Sequence, residues 1–112
     1  MIHAKIVVDS SANMTTNAAV SSVPLKIITD EKEYIDDATL NTAAMVWDLK
    51  TYTGPSSTTC PSPHDWLNAF GDKPYVFCIA ITSGLSGSCN AANIAKADYE
   101  LEYPGRKVCV ID

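Results

Sequence analysis

The sequence predicts an α/β fold, a mostly parallel sheet flanked by helices, in a single stretch of 112 residues. Three observations carry that prediction. Short runs rich in Val and Ile alternate with stretches of helical pattern, the order that builds parallel sheets. The longest apolar run, residues 75–81, is unbroken and reads as a strand buried inside a sheet. It empties into Thr82-Ser83-Gly84-Leu85-Ser86-Gly87 and then into a helix of small residues. Open α/β sheets bind ligands at such carboxyl ends of strands, and a helix N-terminus offers unpaired N–H groups to anions.

The elements follow in order. Residues 5–8 are a β-branched run ending in the polar turn Asp9-Ser10-Ser11, hence a first strand. Residues 13–20 carry a weak helical pattern on Met14, Ala18 and Ala19. Residues 23–29 alternate Val23, Leu25, Ile27 against Pro24, Lys26, Ile28, which predicts a strand, with Pro24 marking an edge. Asp30-Glu31-Lys32-Glu33 is a charged turn, and Tyr34-Ile35 pairs back as a short hairpin arm. Residues 41–50 read as a helix capped by Asn41, with Ala44, Met45 and Leu49 toward the core. Residues 51–61, rich in Thr, Ser, Gly and Pro, read as a loop.

Ser62-Pro63-His64-Asp65 opens the next helix. The serine caps, proline takes the first helical position, and the acid stands three residues after the cap. Trp66, Leu67 and Phe70 form its apolar face and Gly71 ends it. Residues 75–81 are the central strand. Residues 86–99 are a helix whose buried side carries Cys89, Ala92 and Ala95. Residues 107–111 are the last strand. A parallel sheet needs both faces covered, and no helix follows that strand. The expectation is therefore the front part of a longer protein, or a partner that supplies the cover.

Composition narrows the function classes. Net charge is −5 with no Lys/Arg cluster, which argues against nucleic acid and anionic membrane surfaces. Any anionic ligand must then be held by local hydrogen bonds. Cys60, Cys78, Cys89 and Cys109 form no C-x-x-C spacing, and Cys78 and Cys109 fall in strands expected to be buried. The expectation is four reduced thiols, no metal site, no cofactor and a cytoplasmic protein. Met1-Ile2-His3-Ala4-Lys5 has no secretory pattern, and no apolar run is long enough for a membrane span.

Two loops are dense in hydroxyls, residues 56–62 and residues 82–88, and each precedes a helix. Capping accounts for such residues one at a time. Two clusters brought to one rim of a parallel sheet point to a binding site. A rival reading is a nucleophile elbow using Ser86, but G-x-S-x-G needs a glycine where Ser88 stands. A serine hydrolase also needs a histidine base, and neither His3 nor His64 follows the serine in the chain. The turn lacks the phosphate-binding pattern that ends in Gly-Lys-Ser/Thr.

Lys5-Ile6-Val7-Val8-Asp9-Ser10-Ser11-Ala12, Val23-Pro24-Leu25 with Glu33-Tyr34 and Asp36-Asp37, Thr58-Thr59-Cys60-Pro61-Ser62-Pro63, Thr82-Ser83-Gly84-Leu85-Ser86-Gly87-Ser88 and the closing Val108 to Asp112 occur in that order. Together they resemble the DegV family of bacterial fatty acid-binding proteins. Thr59-Cys60 replaces the family's usual serine–glutamine pair, and Gly84 replaces a longer residue. The resemblance implies the amino-terminal α/β (EDD-type) domain, residues 1–112 being a partial lipid-binding domain truncated at its carboxyl end. The family's second domain would be absent.

The resemblance further implies a long-chain fatty acid as ligand. Its carboxylate would be bonded by hydroxyls of the two loops, Thr58 and Ser83 first, with Thr59, Ser86 and Ser10 as secondary contacts. A separate fatty acid kinase would phosphorylate the bound acid, so the protein would have no catalytic residue. A homo-oligomer stays open. The alternatives are the hydrolase using Ser86 and a fragment that binds nothing without its missing half.

Overall fold

A computed structural model describes residues 4–14 and 16–112. Four parallel strands form the main sheet in the order β2-β1-β6-β7: β1 (Ala4–Asp9), β2 (Val20–Val23), β6 (Tyr75–Ile79) and β7 (Lys107–Ile111). Three antiparallel strands form a second sheet in the order β4-β3-β5: β3 (Lys26–Thr29), β4 (Glu33–Ile35) and β5 (Ser56–Thr59). The helices are α1 (Thr42–Thr51), α2 (Pro63–Phe70) and α3 (Ser88–Glu102).

The core lies on one face of the parallel sheet. Val7 pairs with Cys78 and Val76 with Val108, so these four side chains share that face. Trp66 and Phe70 of α2 and Ala92, Ala95 and Tyr99 of α3 pack on it, all essentially without solvent exposure. Alanines let α3 sit close to the sheet. The capping box opens α2: the Ser62 hydroxyl accepts from Asp65 N at 3.1 Å, and the Asp65 carboxylate accepts from Ser62 N at 3.0 Å. The Tyr99 hydroxyl donates to Lys73 O at 2.8 Å, tying α3 to the turn after α2. Lys96 pairs with Glu100 at 2.7 Å, and Glu100 also accepts from Val108 N at 2.9 Å, locking α3 to β7.

The opposite face is apolar and only partly covered among the described residues: Val8 on it is 1% exposed, while its other apolar side chains remain open. Ile6, Phe77 and Cys109 form one row across it, and Ile79 and Ile111 another; Phe77 is 44% exposed. Cys109, expected to be buried, stands exposed there because the strand alternation turns it away from α3.

Several boundaries differ from the sequence reading. The helix expected over residues 13–20 does not form among the described residues of that stretch. A single 3-10 turn, Ser10–Ala12, precedes Asn13 in a left-handed conformation, and β2 begins at Val20. The strand expected over residues 23–29 is two strands in two sheets, separated at Pro24, which cannot donate to a ladder. Part of the expected loop over residues 51–61 is strand β5, whose β-branched threonines pair with β3. The α1 helix forms with the Asn41 cap, accepting from Ala44 N at 3.0 Å, but none of its residues is fully buried and Ala44 is exposed.

Candidate functional site

Between the antiparallel sheet, α1 and the loop after β6 lies an open cavity of about 630 Å³. Thr58, Thr59 and Cys60 line it from the end of β5. Ile81, Leu85, Ser86 and Gly87 line it from the loop that leads into α3. Leu25, Ile27, Leu40 and Met45 supply apolar wall, and Tyr34, Asp36, Thr42 and Lys26 complete it. The size falls within the range of about 300–1,000 Å³ usual for ligand pockets.

The two hydroxyl loops therefore meet at one cavity, by a different route from the one expected. Thr58 and Thr59 arrive on β5 of the second sheet, where Thr58 lies opposite Ile27 and Thr59 opposite Lys26. The other loop sits at the carboxyl end of β6. Thr58 is exposed, while Thr59, Cys60 and Ser86 are half-buried.

Ser86 is well placed to donate. Its oxygen already accepts from Ser88 N at 3.2 Å, which leaves the O–H for a ligand. Gly87 caps α3 without any side-chain bond, so the first turn opens beside the cavity. A Cβ at Gly87 would stand 3.4 Å from the Cys60 sulfur, an ordinary contact distance.

The other predicted contacts lie apart from this lining. Ser83 is exposed; its backbone N–H donates to Asp112 Oδ1 at 2.8 Å and its hydroxyl to Asp112 Oδ2 at 2.7 Å. Those two bonds hold the Asp112 carboxyl below its ordinary pKa, the side-chain bond contributing most. The Ser10 hydroxyl accepts from Leu25 N at 2.9 Å, so it braces a residue of the cavity wall while itself facing a neighbouring polar groove.

Among the described residues, the lining carries one acid, Asp36, one base, Lys26, and no histidine. Lys26 is paired with Glu33 at 3.0 Å, a bond that raises its pKa. His64 is exposed on α2 with its ring nitrogen 3.1 Å from Asn68 Nδ2, and His3 lies outside the described residues. Among the described residues, no group of three or more His, Cys, Asp or Glu is placed to hold a metal ion, and no helix is long and apolar enough to cross a membrane.

Sequence reasoning passed over the apolar wall and Asp9. Leu25, Ile27, Leu40 and Met45 come from three separate segments that only the tertiary fold joins. Asp9 is 1% exposed at the end of β1. It accepts from Ser11 N at 3.2 Å, Ile81 N at 2.8 Å and the Ser88 hydroxyl at 2.8 Å, and also from the Ser11 hydroxyl. An acid closing a buried strand was the available signal.

Comparison with known proteins places this arrangement. A family model, DegV ("uncharacterised protein, DegV family"), matches residues 3–112. A DegV domain-containing protein of Streptococcus pneumoniae is 36% identical over 114 residues, covering 96% of this chain and 41% of that protein. Among solved structures, a DegV family protein from Eubacterium eligens loaded with heptadecanoic acid superposes with a TM-score of 0.94 at 40% identity, over 97% of this chain and 40% of that one. The fatty acid kinase B3 protein of Streptococcus pneumoniae, loaded with linoleic acid, gives 0.89 at 36% identity, over 100% of this chain and 42% of that one. The chain thus spans about two fifths of the length of the relatives it matches.

Proposed function

The chain belongs to the DegV family, and from that premise we propose that it forms the hydroxyl-bearing side of a site for a long-chain fatty acid. One observation carries the reading: a single cavity joins Thr58, Thr59 and Ser86 to an apolar wall of Leu25, Ile27, Leu40 and Met45, with its basic residue Lys26 already paired. The fatty acids bound by the Eubacterium eligens and Streptococcus pneumoniae relatives support it.

The division of labour follows from magnitudes. Burying roughly fifteen methylenes contributes on the order of 12 kcal/mol before association and ordering costs. A hydrogen bond to a charged group adds about 1.5–3 kcal/mol. The tail sets affinity and the hydroxyls set orientation. Thr58 and Ser86 donate to the carboxylate, with Thr59 beside them. Ser83 reaches the headgroup only by exchanging the Asp112 carboxylate for the ligand's. Neutral donors leave a carboxylate oxygen free for reaction, whereas a lysine would hold it in an ion pair. In this reading the protein presents the acid to a separate kinase and does no chemistry itself.

The test is lipid extraction and mass spectrometry of the full-length protein after bacterial expression, followed by titration with heptadecanoic acid. A co-purifying fatty acid and saturable binding are expected. A protein that carries no lipid and binds none overturns the proposal. Phosphorylation of the bound acid by an added kinase with ATP tests the presentation step separately.

A further inference from the structure

We infer that Asp9 and Asp112 are positioning residues, a pair of carboxylates that clamp the loop of residues 82–87 from its two flanking strands and so aim Ser86 at the cavity. The inference deepens the fatty acid reading and rests on it.

The topology makes the clamp. β6 lies between β1 and β7 in the sheet, and each neighbour ends in an aspartate: Asp9 is the last residue of β1 and Asp112 follows β7 directly. A single Asp9 oxygen accepts from Ile81 N and from the Ser88 hydroxyl, both at 2.8 Å. Those two residues bracket the loop. Asp112 takes both donors of Ser83, N–H and O–H, inside it. A carboxylate that accepts two N–H or O–H donors is a strong, directional anchor.

Between the anchors the loop has little else to fix it. Leu85 N donates to Thr82 O at 2.9 Å and Ser86 N to the same oxygen at 3.3 Å. Gly84 has open space around its Cβ position, and Leu85 is 77% exposed. Ser86 stands between the Ser83 and Ser88 anchors and receives Ser88 N on its own oxygen. Its hydroxyl direction therefore depends on both carboxylates, although neither Asp9 nor Asp112 lines the cavity. Besides Asp9 and Asp112, two thiols stand against this loop: Cys60, beside Gly87, and Cys89 of α3, whose pKa is raised first by burial and then by the Asp112 charge.

The test uses the protein and its Asp112→Asn and Ser83→Ala variants, with two readouts. Without ligand, the Ser83 amide proton resonance should follow a carboxyl that titrates below the ordinary aspartate value of about 3.9, and Asp112→Asn should abolish that step. An amide that titrates alike in both proteins overturns the clamp. With heptadecanoic acid, Asp112→Asn should weaken binding by about three- to tenfold. Adding Ser83→Ala to it should cost nothing more, because the Ser83 hydroxyl bond to the carboxylate is already lost in Asp112→Asn. Unchanged affinity in Asp112→Asn, or losses that simply add, overturns the positioning role. Asp9→Asn is expected to lower folding stability as well, so Asp112 carries the test, with thermal melting to establish that its variant is folded. Wild-type protein that binds no heptadecanoic acid refutes the fatty acid reading and the positioning role with it, while the amide titration still decides the clamp.

Discussion

The Asp9 carboxylate accepts the Ser88 hydroxyl at 2.8 Å across 79 positions of sequence, both residues buried, and thereby joins the end of the first strand to the start of α3. The same oxygen receives Ile81 N. Replacing Asp9 by alanine strands these two donors without an acceptor. Unsatisfied buried groups cost about 1–3 kcal/mol each, so Asp9→Ala should lower unfolding free energy by about 3 kcal/mol in urea titration. A loss under about 0.5 kcal/mol would mean that water or relaxation satisfies both groups.

Glu100 gives a pH dependence with a definite sign. Its pKa is lowered, first by the Lys96 side chain and then by Val108 N. A carboxyl depressed on folding stabilises the protein above its unfolded pKa, and that contribution disappears as pH falls through the folded value. Stability should therefore fall on acidification below about pH 4.5, and Glu100→Gln should flatten that limb of the profile. An acid limb identical in wild type and variant would remove the Lys96–Glu100–Val108 link from the account.

The four thiols should differ in reactivity. Burial, reinforced by Cys89 and Asp9, pushes Cys78 up to about 12. It should resist alkylation at pH 8 until the chain unfolds, whereas exposed Cys109 should react first. Cys60 lines the cavity, so heptadecanoic acid should slow its modification. Peptide mass spectrometry after timed alkylation reads all of this. Equal rates for Cys60 with and without the acid would place the ligand elsewhere.

The apolar wall predicts a chain-length dependence. Each methylene buried contributes about 0.8 kcal/mol, a factor of about four in affinity. Competition binding along a series of saturated acids should show that increment until the cavity is filled. Met45→Ala should shift the whole series to weaker binding. Affinity that is flat with chain length would contradict a tail-dominated site.

Where local chemistry decides structure, the sequence was readable. Ser62, Pro63 and Asp65 announce the start of α2, and the unbroken run before Thr82 announces a central strand. The failures have a common cause. Ser56 to Thr59 look like loop because hydroxyls cap and turn, yet pairing with Ile27 and its neighbours makes them a strand. Val23 and Lys26 look like one strand because the alternation runs through Pro24, while the chain changes sheets there. Cys109 looks buried because its neighbours are apolar, and only the side on which α3 packs turns it outward. The site was legible in its hydroxyls and not in its walls or supports: Thr58 and Ser86 share the cavity, but Ser83 and Ser10 are bonded to Asp112 and Leu25 by contacts 29 and 15 positions apart. No local pattern reports contacts of that range.

The headgroup contact itself is open to direct observation. Heptadecanoic acid labelled with carbon-13 at its carboxyl should give a distinct bound resonance with the protein. That resonance should move in both Ser86→Ala and Thr58→Val, each of which should also weaken binding by about tenfold, the loss of one charged hydrogen bond. A bound carboxyl whose shift and affinity are the same in wild type and both variants would contradict the account.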